Sequence, residues 1–311
     1  VVFLGSVLTL PLSCRIAKVP LVSVIPLALS RPYIKARLPL SPFLPPFLNR
    51  LGCFFVEKFP LLVGNVRKIT REYGLPSPRS LLDLWEGDLN FVTESREFSL
   101  LKTLPDHWHF CGPIFAHLDT PVPEDVQNLL QQREEPLVFF AMGSSANHEV
   151  LLKTLSAFEG LPVQVIAPIT AHLKEGDPVP DNVLVTDWLP ALQVTEQVDI
   201  AVTHGGQGTV QTTVTAGVPF VGVGMQPEQA LNIFIFAQYG NALLLNRRKL
   251  NTAIIQQAIQ TVLNDEEMRR KAQQARQIML EADAPQAVFQ VVDAMIHGER
   301  AFPPSHLGPM R

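Results

Sequence analysis

From residue 136 onward the chain alternates two patterns. Short, largely apolar runs fall at 137–141, 163–167, 183–186, 199–203, 220–223 and 242–245, with glycine, proline or polar residues around them. Between and after them, apolar residues recur every three to four positions. They predict helices over 148–158, 208–216, 228–239, 252–263, 266–281 and 285–296, with Pro285 at a first helical position. Apolar strands separated by helices imply a parallel sheet covered on both faces. Ligands of such sheets bind beyond the carboxyl ends of the strands, so chemistry is sought in the residues that follow each run.

The first half is less regular. Residues 1–5 and 20–25 read as buried strands around a helix over 7–17. A second helix is predicted over 54–73, with Phe55, Phe59, Leu62, Val66 and Ile69 on one face. A short helix at 80–85 and strands at 89–93 and 108–111 follow. The segment 31–50 is proline-rich, basic and free of acids; it reads as an irregular surface loop, rimming a pocket or touching a membrane. Neither early apolar run reaches the ~18–20 uninterrupted residues of a spanning helix. The second also holds Pro20 and Pro26, and Arg15 and Lys18 follow the first run where a signal peptide has its basic residues ahead. These points argue against a stable membrane span and leave peripheral membrane contact open. A chain that opens at Val1, already inside a core strand, reads as cut within a domain. The expected organisation is a partial amino-terminal domain at 1–111, a proline-containing linker at 112–123, a carboxy-terminal domain at 124–296 and a tail at 297–311.

Composition narrows the class. A length of 311 residues suits two domains, and 47 % hydrophobic with 17 % charged residues supports a sizeable core and excludes disorder. The net charge of −4 argues against a nucleic-acid partner. Cys14, Cys53 and Cys111 are far apart and form no CxxC pair, so a reducing, cytoplasmic compartment is expected.

Candidate chemistry clusters at the predicted strand ends. His204-Gly205-Gly206-Gln207-Gly208-Thr209 joins a strand to a helix. Its glycines either serve packing or let backbone N–H groups approach a phosphate at the helix N-terminus. Gly143-Ser144-Ser145 ends the first strand of the same domain and offers further amides to the same anion. Trp188, sixteen residues before His204, is either core or a stacking face for a nucleobase. Glu228-Gln229 opens a helix after Pro227. Its carboxylate either complements the helix dipole or, with the amide, bonds sugar hydroxyls.

Order and spacing make these features specific. The run Trp188-Leu189-Pro190, then Val202-Thr203-His204-Gly205-Gly206, then Ala216-Gly217-Val218-Pro219, then Pro227-Glu228-Gln229-Ala230-Leu231-Asn232 resembles the donor-binding signature of the UDP-glycosyltransferase family. Its nearest likeness is to bacterial members that glycosylate macrolides and other natural products. The likeness is good from about residue 112 to 295 and looser before it. It implies a GT-B fold, an α/β architecture of two Rossmann-like domains with parallel sheets, the first incomplete here. It further implies that Trp188 stacks on uracil while the Leu189 backbone reads the base edge. His204 would contact the diphosphate with Gly206, the amides of Gly208 and Thr209, and the Gly143–Ser144 turn. Glu228 and Gln229 would hold the sugar. The implied reaction is inverting, metal-independent hexosyl transfer from a nucleotide sugar, a co-substrate and not a cofactor, to a hydroxyl of a small apolar acceptor. The absence of any Asp-x-Asp pair agrees with the lack of a metal.

Two departures stand out. Where the family carries a ribose-gripping glutamate, eight residues past the histidine, this chain has Thr212, which leaves dTDP-sugars as an alternative to UDP-sugars. The family's general base is a histidine near the start of the amino-terminal domain. None of the eight histidines here occupies a matching place, so that base is expected upstream of Val1. A non-catalytic glycosyltransferase-like partner and a sugar-nucleotide epimerase of the same fold are the alternatives, the latter disfavoured by the signature from Trp188 to Gln229.

Overall fold

Branched and aromatic runs with apolar side chains on both sides are stable only where both faces are covered, and they form two all-parallel sheets. The computed structural model describes residues 1–4, 10–58, 64–114, 120–143 and 147–297. Two compact units emerge. One comprises Val1–Leu40, Leu44–Ile114 and Ala282–Arg311, the other Ser41–Phe43 and Phe115–Glu281.

In the first unit the elements run β1 (Val2–Leu4), α1 (Leu10–Ala17), β2 (Leu21–Ile25), α2 (Arg31–Lys35), α3 (Pro46–Lys58), α4 (Gly64–Glu72), α5 (Leu82–Trp85), β3 (Leu89–Val92) and β4 (Trp108–Phe110). The sheet follows chain order, β1-β2-β3-β4. Beside it, a buried polar network centres on the Glu86 carboxylate, which accepts from the Arg31 guanidinium and from Trp108 Nε1 at 3.3 Å, with His107 Nε2 at 3.2 Å. Arg31 also bonds Asp83, and Arg15 caps the carbonyls of Asp83 and Glu86 at 2.6 and 2.9 Å.

The second unit contains α6 (Glu124–Gln131), β5 (Leu137–Ala141), α7 (His148–Ser156), β6 (Gln164–Ala167), β7 (Val183–Val185), α8 (Ala191–Thr195), β8 (Ile200–Thr203), α9 (Gln207–Thr215), β9 (Phe220–Gly222), α10 (Pro227–Tyr239), β10 (Ala242–Leu244), α11 (Thr252–Asn264) and α12 (Glu266–Glu281). Its sheet order is β10-β9-β8-β5-β6-β7. The chain starts at β5, winds outward through β6 and β7, then returns to β8 on the other flank of β5 and winds the opposite way. One face of the core joins Val138, Phe140, Val165, Val202 and Val221 to Leu151 and Leu155 of α7 and Ile255 and Ile259 of α11. On α12, Arg276 and Gln273 donate to the carbonyls of Ala216 and Gly217 at 2.9 and 3.0 Å, securing the turn after α9.

Three expectations are corrected. The final helix, α13 (Ala284–Ile296), belongs to the first unit and not to a carboxy-terminal domain running from 124 to 296. Its Ala284 and Val292 are buried with Val22, Leu89, Phe91 and Cys111, a sheet face that needs an apolar cover. The segment 31–50 is not an irregular loop throughout. Ser30 caps α2 by accepting from the Tyr33 amide at 3.3 Å, and Pro32 and Pro46 occupy first-turn positions, where a missing N–H costs nothing. Over 54–73 the described residues carry the end of α3 and the helix α4, and Phe55 and Ile69 on the supposed core face are exposed. Phe59 and Leu62 lie outside the described residues. Helices α6 and α8 went unanticipated because each carries too few buried apolar residues to print a period.

Candidate functional site

The sheet of the second unit reverses its winding between β5 and β8, and a crevice opens at such a switch point beyond the strand ends. The register pairs Ala141 with Thr203, so the residues leaving the two strands emerge side by side. They are Gly143 and His204. A Cβ on Gly143 or on Gly206 would run into the His204 imidazole, and Gly143 also adopts φ +56°, so glycine is what allows the ring to be packed there. The ring is 4 % exposed. Burial pushes its pKa below the ordinary histidine value; the Ala141 carbonyl, 3.5 Å from Nδ1, acts against this, and His172 adds to the lowering. Ser144, expected to complete the Gly143 turn, lies outside the described residues.

Behind His204 the chain enters α9 with Gly206 as N-cap. Val210 N is bonded to Gly206 O at 2.9 Å. Gly208 and Thr209 therefore sit in the first turn, where backbone N–H groups have no intrahelical acceptor and the helix presents its positive end. The space a Cβ would take on Gly208 is open. Amides, helix end and imidazole share one edge of the sheet, a frame suited to a diphosphate.

Beyond β7 stands Trp188, 85 % exposed, while its neighbour Leu189 is buried and anchors the turn. A tryptophan so open to water is no core residue; it presents a large flat apolar face. Thr212, on the second turn of α9, is 9 % exposed.

Gln226 is the N-cap of α10, with Pro227 after it. Gln229 forms a capping box: its Oε1 accepts from the amides of Met225 and Gln226 at 2.9 and 3.1 Å. Its side-chain oxygen is thus occupied in holding the helix start. Glu228 Oε1 accepts from Asn232 Nδ2 at 2.7 Å, and burial raises the Glu228 pKa while that bond opposes the rise. Asn232 Nδ2 also donates to the Gly205 carbonyl at 3.0 Å, tying α10 to the turn after β8. No role for Asn232 follows from the sequence motif, although its i+4 spacing from Glu228 was a readable signal. Among the described residues no group of three or more His, Cys, Asp or Glu is placed to hold a metal.

Comparison with known proteins agrees with this architecture. Residues 150–295 match the family described as Erythromycin biosynthesis protein CIII-like, C-terminal domain. A PGL/p-HBAD biosynthesis glycosyltransferase of Mycobacterium tuberculosis is 31 % identical over 189 residues, 60 % of this chain and 43 % of the relative. A PGL/p-HBAD biosynthesis rhamnosyltransferase of Mycobacterium bovis is 28 % identical over 276 residues, 85 % of this chain and 60 % of the relative. The chain thus spans about half the length of these curated relatives. The structure of spinosyn rhamnosyltransferase SpnG complexed with thymidine diphosphate shares the fold, with a TM-score of 0.67 at 16 % identity over 94 % of this chain and 72 % of that one. The chain is thus similar to glycosyltransferases of the macrolide and natural-product type, a likeness the family model carries over residues 150–295, and it has the GT-B fold.

Proposed function

We propose that this chain carries the nucleotide-sugar half of a glycosyltransferase that moves a hexosyl group from a UDP- or dTDP-sugar to a hydroxyl of a small, apolar acceptor, with inversion and without a metal. The observation that carries this reading is the His204 ring lodged between Gly143 and Gly206 at the switch point, beside the amino end of α9.

In this reading Trp188 stacks on the nucleobase and the Leu189 backbone reads its edge. The amides of Gly208 and Thr209, the Gly143 turn and His204 hold the diphosphate, and Glu228 accepts from a sugar hydroxyl. The acceptor oxygen attacks the anomeric carbon from the face opposite the leaving group. The bond from that carbon to the phosphate oxygen breaks, and the acceptor's proton passes to a general base. Charge gathers on the departing diphosphate, where the helix end, the amides and a protonated His204 stabilise it. No residue of this chain is assigned as the base. Thr212 in place of a ribose-gripping carboxylate, together with the thymidine diphosphate bound by SpnG, supports keeping dTDP-sugars beside UDP-sugars. Cys14, Cys53 and Cys111 are buried free thiols, which supports a reducing compartment such as the cytoplasm.

Saturation-transfer NMR with UDP and with dTDP tests the donor site. Contact from base and ribose protons is expected, and it should fall sharply in Trp188→Ala. Contact with neither nucleotide, or contact indifferent to that substitution, overturns the assignment. The second reading, a non-catalytic partner that keeps the fold, rests on Thr212. It prevails if the full-length protein binds nucleotide yet releases no UDP or dTDP across a donor and acceptor panel.

A further inference from the structure

Helix α3 is built inside out. Asn49 and Cys53, a polar and a weakly polar residue, face the protein: Asn49 accepts from Leu40 N at 2.8 Å and donates to the Leu44 carbonyl at 3.0 Å, and Cys53 Sγ lies 3.3 Å from the Leu38 carbonyl. Outward, within about 100° of arc, stand Phe47, Leu51, Phe54, Phe55 and Lys58, spaced i, i+4, i+7, i+8 and i+11. All five are exposed, Phe47 to 67 %. A surface helix normally turns this stripe toward its own core.

Charge around the stripe has one sign. From residue 31 to 58 the chain holds five basic residues and a single acid, Glu57, which is paired with Arg37 at 2.5 Å and Lys58 at 3.2 Å. Lys35, Arg50 and Lys58 are exposed, Lys35 at the end of α2 and the other two on α3. The Arg37 guanidinium lies 6.0 Å from the centre of the Phe54 ring, keeping a cation beside the aromatic face. The outward side chains from 47 to 58 include no hydroxyl, amide or carboxylate. A protein partner makes about one hydrogen bond per 100–200 Å² of interface, which this face does not equip it to make, whereas lipid hydrocarbon asks for none. Phenylalanine and leucine on one side, with arginine at the margin and lysine at the carboxyl end of the stripe, is the pattern of a helix lying in a membrane interface, buried ~5–10 Å with its cations at headgroup level.

We propose that α3 is a membrane-docking helix, seating this chain on an anionic lipid surface through Phe47, Leu51, Phe54 and Phe55 with Lys35, Arg50 and Lys58 on the headgroups. Docking of this kind is peripheral; among the described residues no helix is long and apolar enough to cross a bilayer. The inference is independent of the donor-site reading.

Flotation of the chain with vesicles tests it, using phosphatidylcholine alone and phosphatidylcholine with one quarter phosphatidylglycerol, at 0.1 M and 0.5 M NaCl. At least tenfold more protein should float with the anionic vesicles, and the difference should shrink at high salt as the headgroup attraction is screened. Phe47→Ser combined with Phe54→Ser should abolish flotation, while Ile254→Ser, on the exposed side of α11, should leave it unchanged. UDP binding measured on the same variants reports on the donor site separately. Should the double variant fold poorly, Phe47→Trp supplies the answer: relative to the unsubstituted chain, it should gain fluorescence that brominated lipid quenches. Absence of flotation with either vesicle, flotation indifferent to the double substitution, or added fluorescence in Phe47→Trp that brominated lipid leaves unquenched overturns the proposal. So does self-association in sedimentation velocity that the double substitution abolishes without any vesicle binding, which would make the face an interface between copies.

Discussion

Trp188 and Gly208 separate binding from stability. At 85 % exposure, Trp188 contributes little to the fold, so Trp188→Ala should change unfolding free energy by no more than ~0.5 kcal/mol. Loss of base stacking, worth ~1–3 kcal/mol, should weaken UDP binding roughly 5- to 150-fold by calorimetry. Gly208→Ala should move the two quantities in opposite directions. A helical alanine is favoured over glycine by ~0.5–1 kcal/mol and its Cβ meets no protein atom within 4 Å, so the thermal midpoint should rise. The same methyl occupies the space a diphosphate would use, and nucleotide binding should fall roughly tenfold, ~1.4 kcal/mol. A midpoint and an affinity that rise together would remove Gly208 from the phosphate frame.

His204 links the site to pH. In the folded protein its pKa is depressed by burial, so the folded state holds fewer protons than the unfolded one between that lowered value and the ordinary ~6.5. Stability attributable to this ring is therefore fully present above pH ~6.5 and is lost as pH falls through the folded pKa. His204→Asn should flatten the decline in thermal midpoint between pH 7 and 5. A bound diphosphate draws the proton back onto the ring. Binding of a nucleotide sugar should consequently weaken as pH rises, by at most about tenfold per unit between the free and bound pKa values. An affinity level across that range would detach His204 from the phosphates.

Among the elements, α10 is the piece whose position matters most, because Asn232 pins it to the turn that carries His204. Asn232→Ala leaves the Gly205 carbonyl and the Glu228 carboxylate without that donor. A cost of ~1–3 kcal/mol is expected, with a fall in midpoint of roughly 2–4 °C for each kcal/mol. The strands and long helices around this site are legible in the sequence because their apolar patterns are unbroken: β5 and α12 fall where the periodicity puts them. Trp188, His204 and the glycines stand out in the sequence because their order and spacing follow the motif. The Asn232 tie and the capping oxygen of Gln229 were not, since both depend on which backbone atoms the fold brings near. Helix α3 misled for a physical reason: an apolar period reads as a core face in any sequence, so Phe55 is placed inward, and only the fold shows that Asn49 and Cys53 took that side.

For the whole molecule, the decisive fact is that α13 returns to the first unit. No local pattern announces this; residues 285–296 predict a helix but carry no mark of which sheet it covers. Ending the chain at Glu281 should leave UDP affinity within about twofold, since every residue proposed to hold the nucleotide sugar lies in the second unit. It should also uncover Val22, Leu89 and Phe91, giving a marked rise in binding of a hydrophobic dye. Unchanged dye binding would show that α13 does not seal that face.

The returning helix also sets a timetable for synthesis. About 170 residues separate Cys111 from Ala284, roughly 10–35 s of translation at ~5–20 residues per second. During that interval the nascent first sheet has its strands but not its lid, and the entire second unit is made meanwhile. The later-born half can fold first, while the apolar face of the earlier sheet stays uncovered until α13 emerges from the ribosome.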